Sequence, residues 1–174
     1  MVKSWVITGV CLIGAGVLCC TAAIGAGALN QQRYREKLHL TDQTDAPSEN
    51  FTAIQVALED ADLTVQAGDS VSVEAENISA DCYDVTVRDG VLRIEQRSSS
   101  LNRYTLIHLG EFSLPTAKIT LTLPEENYKS MDISASYGDC TVDGISAQTF
   151  SANLDCGDGT FQNISTENYT AKSS

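Results

Sequence analysis

"SYGDCTVDGISAQTF" runs from Ser136 to Phe150, and nineteen residues later "DCGDGTFQNISTENY" runs from Asp155 to Tyr169. Gly138-Asp139 aligns with Gly157-Asp158, Thr141 with Thr160, and Ile145-Ser146 with Ile164-Ser165. Phe150 falls where Tyr169 falls in the next unit, and Met131 holds that place one unit earlier. The apolar positions keep the same offset: Ile133, Ala152 and Ala171; Ala135 and Leu154; Tyr137 and Cys156; Val142 and Phe161; Ile145 and Ile164. Within each unit they alternate with polar residues, the pattern of a strand with one buried face. A unit this short cannot bury that face alone, whereas stacking equivalent residues on the next unit builds a continuous core. The repeat therefore predicts coils at 131–149 and 150–168. Each coil has two adjacent strands joined by the tight Gly-Asp turn, and a looser "SAQT" or "STEN" segment leads to the next. "YTAKSS" opens a third coil, whose edge offers itself to another chain. Val142 on Phe161, Ile145 on Ile164 and Phe150 on Tyr169 form the predicted stacking core. The fold class is all-β, a single-stranded β-solenoid (β-helix) with an N-terminal transmembrane helix. A β-sandwich whose hairpins resemble one another is the alternative.

Upstream, the period is again two. "FTAIQVAL" from Phe51 and "ADLTVQAGDSVSVEAEN" from Ala61 alternate, with "AGDS" as a turn. Tyr83 to Val87 and Val91 to Glu95 read as strands flanking Asp89-Gly90, a strong hairpin signal. "KITLTLP" (Lys118 to Pro124) is a further strand, ended by its proline. The stretch "SSSLNRYTLIHLGEFSLPTA" reads as a long loop with room for one short strand.

Trp5 to Leu29 carries no charge. As a helix it would span roughly 37 Å, enough to cross a bilayer with some tilt. A retained anchor over 1–30 is the first reading, and a cleaved signal peptide with small residues at Ala26 to Ala28 is the second. A lipoprotein box fits poorly, because Leu18 precedes Cys19. Residues 31–50 are polar, contain Pro47, and read as a tether. Counting only Lys3 against Arg33, Arg35 and Lys37 would place the C-terminal side in the cytoplasm.

Eleven basic and 23 acidic residues give a net charge of -12. Such a surface repels nucleic acid and anionic lipid and leaves cations as natural partners. Asp139, Asp143, Asp155 and Asp158 are the carboxylates that stacking would gather. Asp139 and Asp158 should lie about 5 Å apart, near the separation of a retaining glycosidase pair. Stacked turn aspartates are also ordinary solvent-exposed features, and weak calcium binding suits them better than catalysis. His39 and His108 have no partner at metal-ligand spacing. No catalytic signature or cofactor motif is present, and no cofactor is expected. Parity points Cys140 and Cys156 inward at one end of adjacent coils. A disulfide between them would suit an oxidising exterior, with buried free thiols as the simpler state. Asn50, Asn77, Asn163 and Asn168 begin N-x-Ser/Thr sequons, which a chain rich in Asn, Ser and Thr produces by composition.

The segments "FTAIQVALEDADLTVQAG", "YDVTVRDGVLRIEQ" and "KITLTLPEENYKSMDISASYGDCTVDGI", with the coil that follows, resemble the bacterial putative-adhesin family of unknown function. The resemblance covers Phe51 to the end and rests on strand periodicity, Leu123-Pro124 and the Gly-Asp turns. It implies a membrane-anchored β-helical domain at the cell surface, sometimes tied to envelope-stress regulation. It also implies an extracytoplasmic domain on a single-pass anchor, against the weak charge count. The function expected is an interaction module without catalysis, meeting a glycan or protein at the cell surface. A regulatory accessory contacting an envelope signalling protein is the alternative, and a polysaccharide-active enzyme is a third.

Overall fold

The structure is a computed structural model that describes residues 2–25, 35–36, 39–98 and 115–173. A helix, α1 (Val2–Gly25), lies over the apolar segment. Of its side chains described, Leu12, Ile13, Val17 and Leu18 are exposed. Among the described residues no helix is long and apolar enough to cross a membrane.

The rest is β. In chain order the strands are β1 (Leu40–Asp45), β2 (Ala53–Leu58), β3 (Asp62–Ala67), β4 (Ser72–Ser79), β5 (Tyr83–Arg88) and β6 (Val91–Gln96). They continue with β7 (Lys118–Leu123), β8 (Asn127–Tyr137), β9 (Cys140–Asp143), β10 (Ser146–Cys156), β11 (Gly159–Gln162) and β12 (Ser165–Ser173). They form two open six-stranded sheets, ordered β1-β4-β7-β3-β9-β11 and β12-β10-β8-β2-β6-β5. Most pairs are parallel; β1–β4, β4–β7 and β5–β6 are antiparallel.

Read side by side, the two orders give rungs. β10 and β11, β8 and β9, β2 and β3, and β6 and β7 occupy successive levels, with β5 and β4 beyond the last. Inward residues meet their equivalents along each sheet. One row is Leu92, Ile54, Met131, Phe150 and Tyr169; another is Val73, Leu121, Val65, Val142 and Phe161. All are buried except the last of each row: Phe161 is half-buried and Tyr169 is 52% exposed. The core joins side chains of both sheets in one cluster.

Several expectations are corrected. The Gly-Asp turn does not join neighbours within one sheet: β8 and β10 lie in one sheet, β9 and β11 in the other. "SAQT" and "STEN" are not loose connections but the first residues of β10 and β12. Ser146 and Ala147 pair on both sides, with Asn127 and Tyr128 and with Ser165 and Thr166. The tether 31–50 is partly folded, because β1 pairs with β4 across a register shift between Thr41 and Gln43. Arg35 holds Asp42 at 2.6 Å, and Asp42 Oδ1 accepts the Asn77 amide at 3.0 Å. Both contacts keep the Asp42 carboxyl below its ordinary range, the Arg35 hydrogen bond most. Spatial order also departs from chain order, since β2 and β3 sit in mid-stack between rungs made later. Most of the expected long loop lies outside the described residues, as does His108. The Asp89-Gly90 hairpin is present, with φ of 53° and 73° at its two residues.

Gly138, at φ 127°, is where the stack constrains sequence most tightly. A Cβ there would lie 2.3 Å from the Ala61 carbonyl oxygen of the rung beside it. Gly138→Ala should cost about 2–3 kcal/mol, from backbone strain and this contact together. Gly90→Ala meets open space at φ 73° and should cost less. Urea denaturation of both variants, compared at constant slope, checks the ranking.

Candidate interaction surface

Of the carboxylates singled out in the sequence, Asp139 and Asp158 lie on one column of corners, Asp143 at the opposite corner and Asp155 near the end of β10. Where β2 turns into β3, Gln96 Oε1 accepts the Asp60 amide at 3.0 Å. At the next level Asp62 Oδ1 accepts the Asp139 amide at 3.0 Å, and at the level after that Asp139 Oδ1 accepts the Asp158 amide at 3.0 Å. Backbone bonds flank each step. Gly138 donates to the Cys156 carbonyl at 3.2 Å and Cys140 to the Asp158 carbonyl at 2.8 Å; Ala61 and Leu63 do the same to Tyr137 and Asp139. Asp62 and Asp139 thus serve as acceptors that fix the height of the next corner. On the opposite corner Asn163, at φ 51°, donates its side-chain amide to Asp143 at 2.7 Å. Asp155 accepts from Asn153 at 3.4 Å. Among the described residues no group of three His, Cys, Asp or Glu side chains is placed to hold a metal ion.

Of the predicted stacking pairs, Phe161 registers with Val142 and Phe150 with Tyr169. The Phe150 and Tyr169 rings stack with centroids 5.5 Å apart, and Phe161 meets both edge-on. Ile145 is buried and Ile164 half-buried, and Ser165 donates to the Ile145 carbonyl at 2.9 Å. Cys140 and Cys156 are separate free thiols. Cys140 is buried in the sheet interior, but Cys156 is exposed rather than inward. It is the last residue of β10, registered with exposed Tyr137 where the strand runs into the corner. The inside-outside alternation does not extend through a corner.

Sequence reasoning missed the outer face of the first sheet. There Thr44, Glu74, Thr120, Thr64, Thr141 and Thr160 register one beside the next across all six strands. Each is half-buried or exposed. At the inter-strand spacing the row is about 24 Å long, and its four consecutive threonines, Thr120, Thr64, Thr141 and Thr160, place a hydroxyl and a methyl every ~4.8 Å over about 14 Å, with Glu74 between them and Thr44. Beside it Gln66 donates to the Thr122 hydroxyl at 3.3 Å. The matching of Thr141 with Thr160 was visible in the repeat; the continuation through Thr64 and Thr120 needed the rung order. A separate groove of about 420 Å³ lies between segment 45–49 and β5, lined by Asp45, Pro47, Glu49, Val85, Val87 and Arg88. The Tyr83 hydroxyl is buried beside Asp45. Burial, and then the neighbouring Asp45, push its ionisation up.

Two outcomes follow from the corner column. Burial pushes the Cys140 thiol up to about 12, so the native full-length chain should be alkylated at Cys156 and spared at Cys140, as read by peptide mapping. Asp60 is held above the ordinary carboxylate range, by burial first and then by Asp62 and Glu59. A raised folded-state value favours the native state at acid pH, and that advantage is lost as pH rises through it. Asp60→Asn should therefore raise Tm at neutral pH, and the gain should vanish as pH falls to the ordinary Asp range. An equal gain at both pH values would contradict the assignment.

Comparison with known proteins places this architecture. A comparison with curated proteins finds no match. Among solved structures, a "putative cell adhesion protein" from Clostridium sporogenes matches with a TM-score of 0.50 at 14% identity, over 68% of this chain and 58% of that one. This chain thus spans less than two thirds of that protein's length. A "putative adhesin" from Bacteroides fragilis matches at 10% identity and a TM-score of 0.34, over 77% of this chain and 96% of that one. The likeness to the Clostridium sporogenes protein concerns the fold alone. The Toastrack (DUF4097) family model matches residues 51–174, from just before β2 through the whole repeat, and the chain belongs to that family.

Proposed function

We propose that the protein is a membrane-held display module of the adhesin type, whose parallel rungs act as a short β-solenoid without catalysis. The observation that carries this reading is the threonine row. It faces outward and repeats at the strand spacing through Thr120, Thr64, Thr141 and Thr160 on four adjacent strands, with Glu74 separating these from Thr44 at the far edge. Hydroxyls and methyls at a fixed interval suit an extended partner with its own repeat, such as a surface glycan or an extended peptide. The many weak contacts of such a row give avidity along a polymer and little affinity for a single unit. The engagement of Asp62 and Asp139 by backbone amides favours a supporting role for them over an acid-base role. The names of the similar structures, which speak of adhesion, agree with this reading.

Anchoring and orientation belong to the same proposal. The uncharged run Trp5 to Leu29 supports a retained N-terminal anchor. A surface-binding domain then belongs on the outer side, with strand β1 beginning soon after the membrane boundary.

Binding of the full-length chain in detergent to insoluble envelope polysaccharide tests the contact face. Thr64→Lys with Thr141→Lys should weaken retention about ten-fold or more, while Ser134→Lys with Asn153→Lys on the opposite sheet should change it little. Equal loss in both pairs, or no retention of the native chain, would overturn the reading. External protease added to intact cells should remove the β domain while α1 stays with the membrane fraction. A fully protected domain would reverse the orientation.

A further inference from the structure

The antiparallel strands leave the stack staggered. In the first sheet β1 lies one strand beyond β4, whereas in the second sheet β5, at the level of β4, is the outermost strand. β5 is interior to the chain, between the short turn Ala80–Cys82 and the Asp89-Gly90 hairpin. It bonds β6 along one edge, and among the described residues no strand pairs with its other edge. In an antiparallel pair alternate residues turn their N–H and C=O away from the partner. β5 therefore directs a row of backbone donors and acceptors outward.

Segment 45–49 runs alongside, with the groove of about 420 Å³ between it and residues 85–88. Among the described residues no backbone bond joins this segment to β5. Pro47 has no N–H to give, and Ala46 and Ser48 fill little space. The floor is apolar, because Val85 and Val87 are half-buried and pack against the core.

We infer that this groove takes one extended segment of another protein, added as a strand to the free edge of β5, with apolar and basic side chains in alternation. The inference is independent of the proposed contact face, which lies on the outer side of the first sheet. Residues 85–88 offer about 13 Å of edge, enough for four residues of extended chain. Positions beside Val85 and Val87 face the core and take apolar side chains, and those between them face outward. Charge names the outward class. Asp45 and Glu49 line the groove, Asp84 is exposed on β5 and Asp89 opens the hairpin; Arg88 is the basic residue among them. This acidic rim, on a molecule of net charge -12, attracts lysine and arginine and repels an acidic segment. Main-chain bonds to the edge supply affinity, and the rim and the valine floor select the partner. A second copy of the chain fits less well. It is itself acidic, and a folded sheet continued from β5 would run into segment 45–49, where a single strand stops short of it.

Fluorescence anisotropy of a labelled short peptide alternating lysine and valine, titrated with the full-length chain in neutral detergent, tests this. A dissociation constant of about 100 µM or tighter is expected. Glutamate in place of lysine should weaken binding about ten-fold or more. Methylating the peptide's backbone nitrogens along one edge should do the same while leaving every charge in place. Glu49→Lys with Asp84→Lys should also weaken it about ten-fold, with far-ultraviolet circular dichroism unchanged. On binding, amide exchange should slow in residues 83–88 and stay as it was in 118–123. A native chain that does not bind the peptide would overturn the inference. So would equal binding of the methylated peptide (adsorption to an acidic surface only), protection elsewhere than β5, or sedimentation showing that the chain pairs with itself through β5 and is released by the peptide.

Discussion

The corner where each rung crosses from one sheet to the other is the constraint on which the structure depends. Two strands facing each other across a core can slide; two corners stacked directly on one another cannot. A corner must place one amide against the neighbouring carboxylate and two more backbone bonds on either side, at about 3 Å in each case. Gly157 over Gly138 shows how little freedom remains, since a Cβ on Gly157 would lie 2.1 Å from the Gly138 carbonyl oxygen. Close approach excludes a side chain, and the aspartate that follows supplies the acceptor the corner lacks. Register along the strands is then inherited from the corner. This is why Met131, Phe150 and Tyr169 fall in one row without any specific contact selecting them.

Fixing the height at the corners leaves the strand faces free to serve different purposes. Inward positions fill with aliphatic and aromatic side chains whose burial drives folding. Outward positions are relieved of any part in setting register and can repeat one residue type, as Thr120, Thr64, Thr141 and Thr160 do. A parallel stack also places like residues next to like. That arrangement is indifferent for threonine, favourable for stacked rings, and tolerable for aspartate only when a backbone amide intervenes. Asp60, between Glu59 and Asp62, is held above the ordinary carboxylate range by burial first and by these two neighbours second.

Much of this was legible in the chain. The offset of nineteen residues predicted the parallel pairing of Val142 with Phe161 and of Phe150 with Tyr169, and Asp89-Gly90 predicted its hairpin. Alternation predicted β2, β3, β6 and β7 because each has one face fully buried. β1 was not legible, since "LTDQTD" has no apolar alternation and pairs at a sheet edge with neither face deeply buried. The mid-stack position of β2 and β3 was hidden because their corner, Asp60-Ala61-Asp62, has alanine where the later corners have glycine. Only the shared geometry, with Ala61 under Gly138 and Asp62 under Asp139, reveals the equivalence. Cys156 was misplaced because alternation was carried one residue too far, into the corner.

The interior position of β2 and β3 has a consequence for biogenesis. These are the first strands of the family domain to leave the ribosome, yet every neighbour arrives late: β2 pairs with residues 38 and 77 positions further on, and β3 with residues 56 and 77 positions further on. Until then the nascent chain carries two apolar strands with both edges bare, the species most open to mispairing. Contacts of such long range also slow the final closure. The molecule is assembled from its middle outwards, so its oldest segment must be sheltered until the youngest is made.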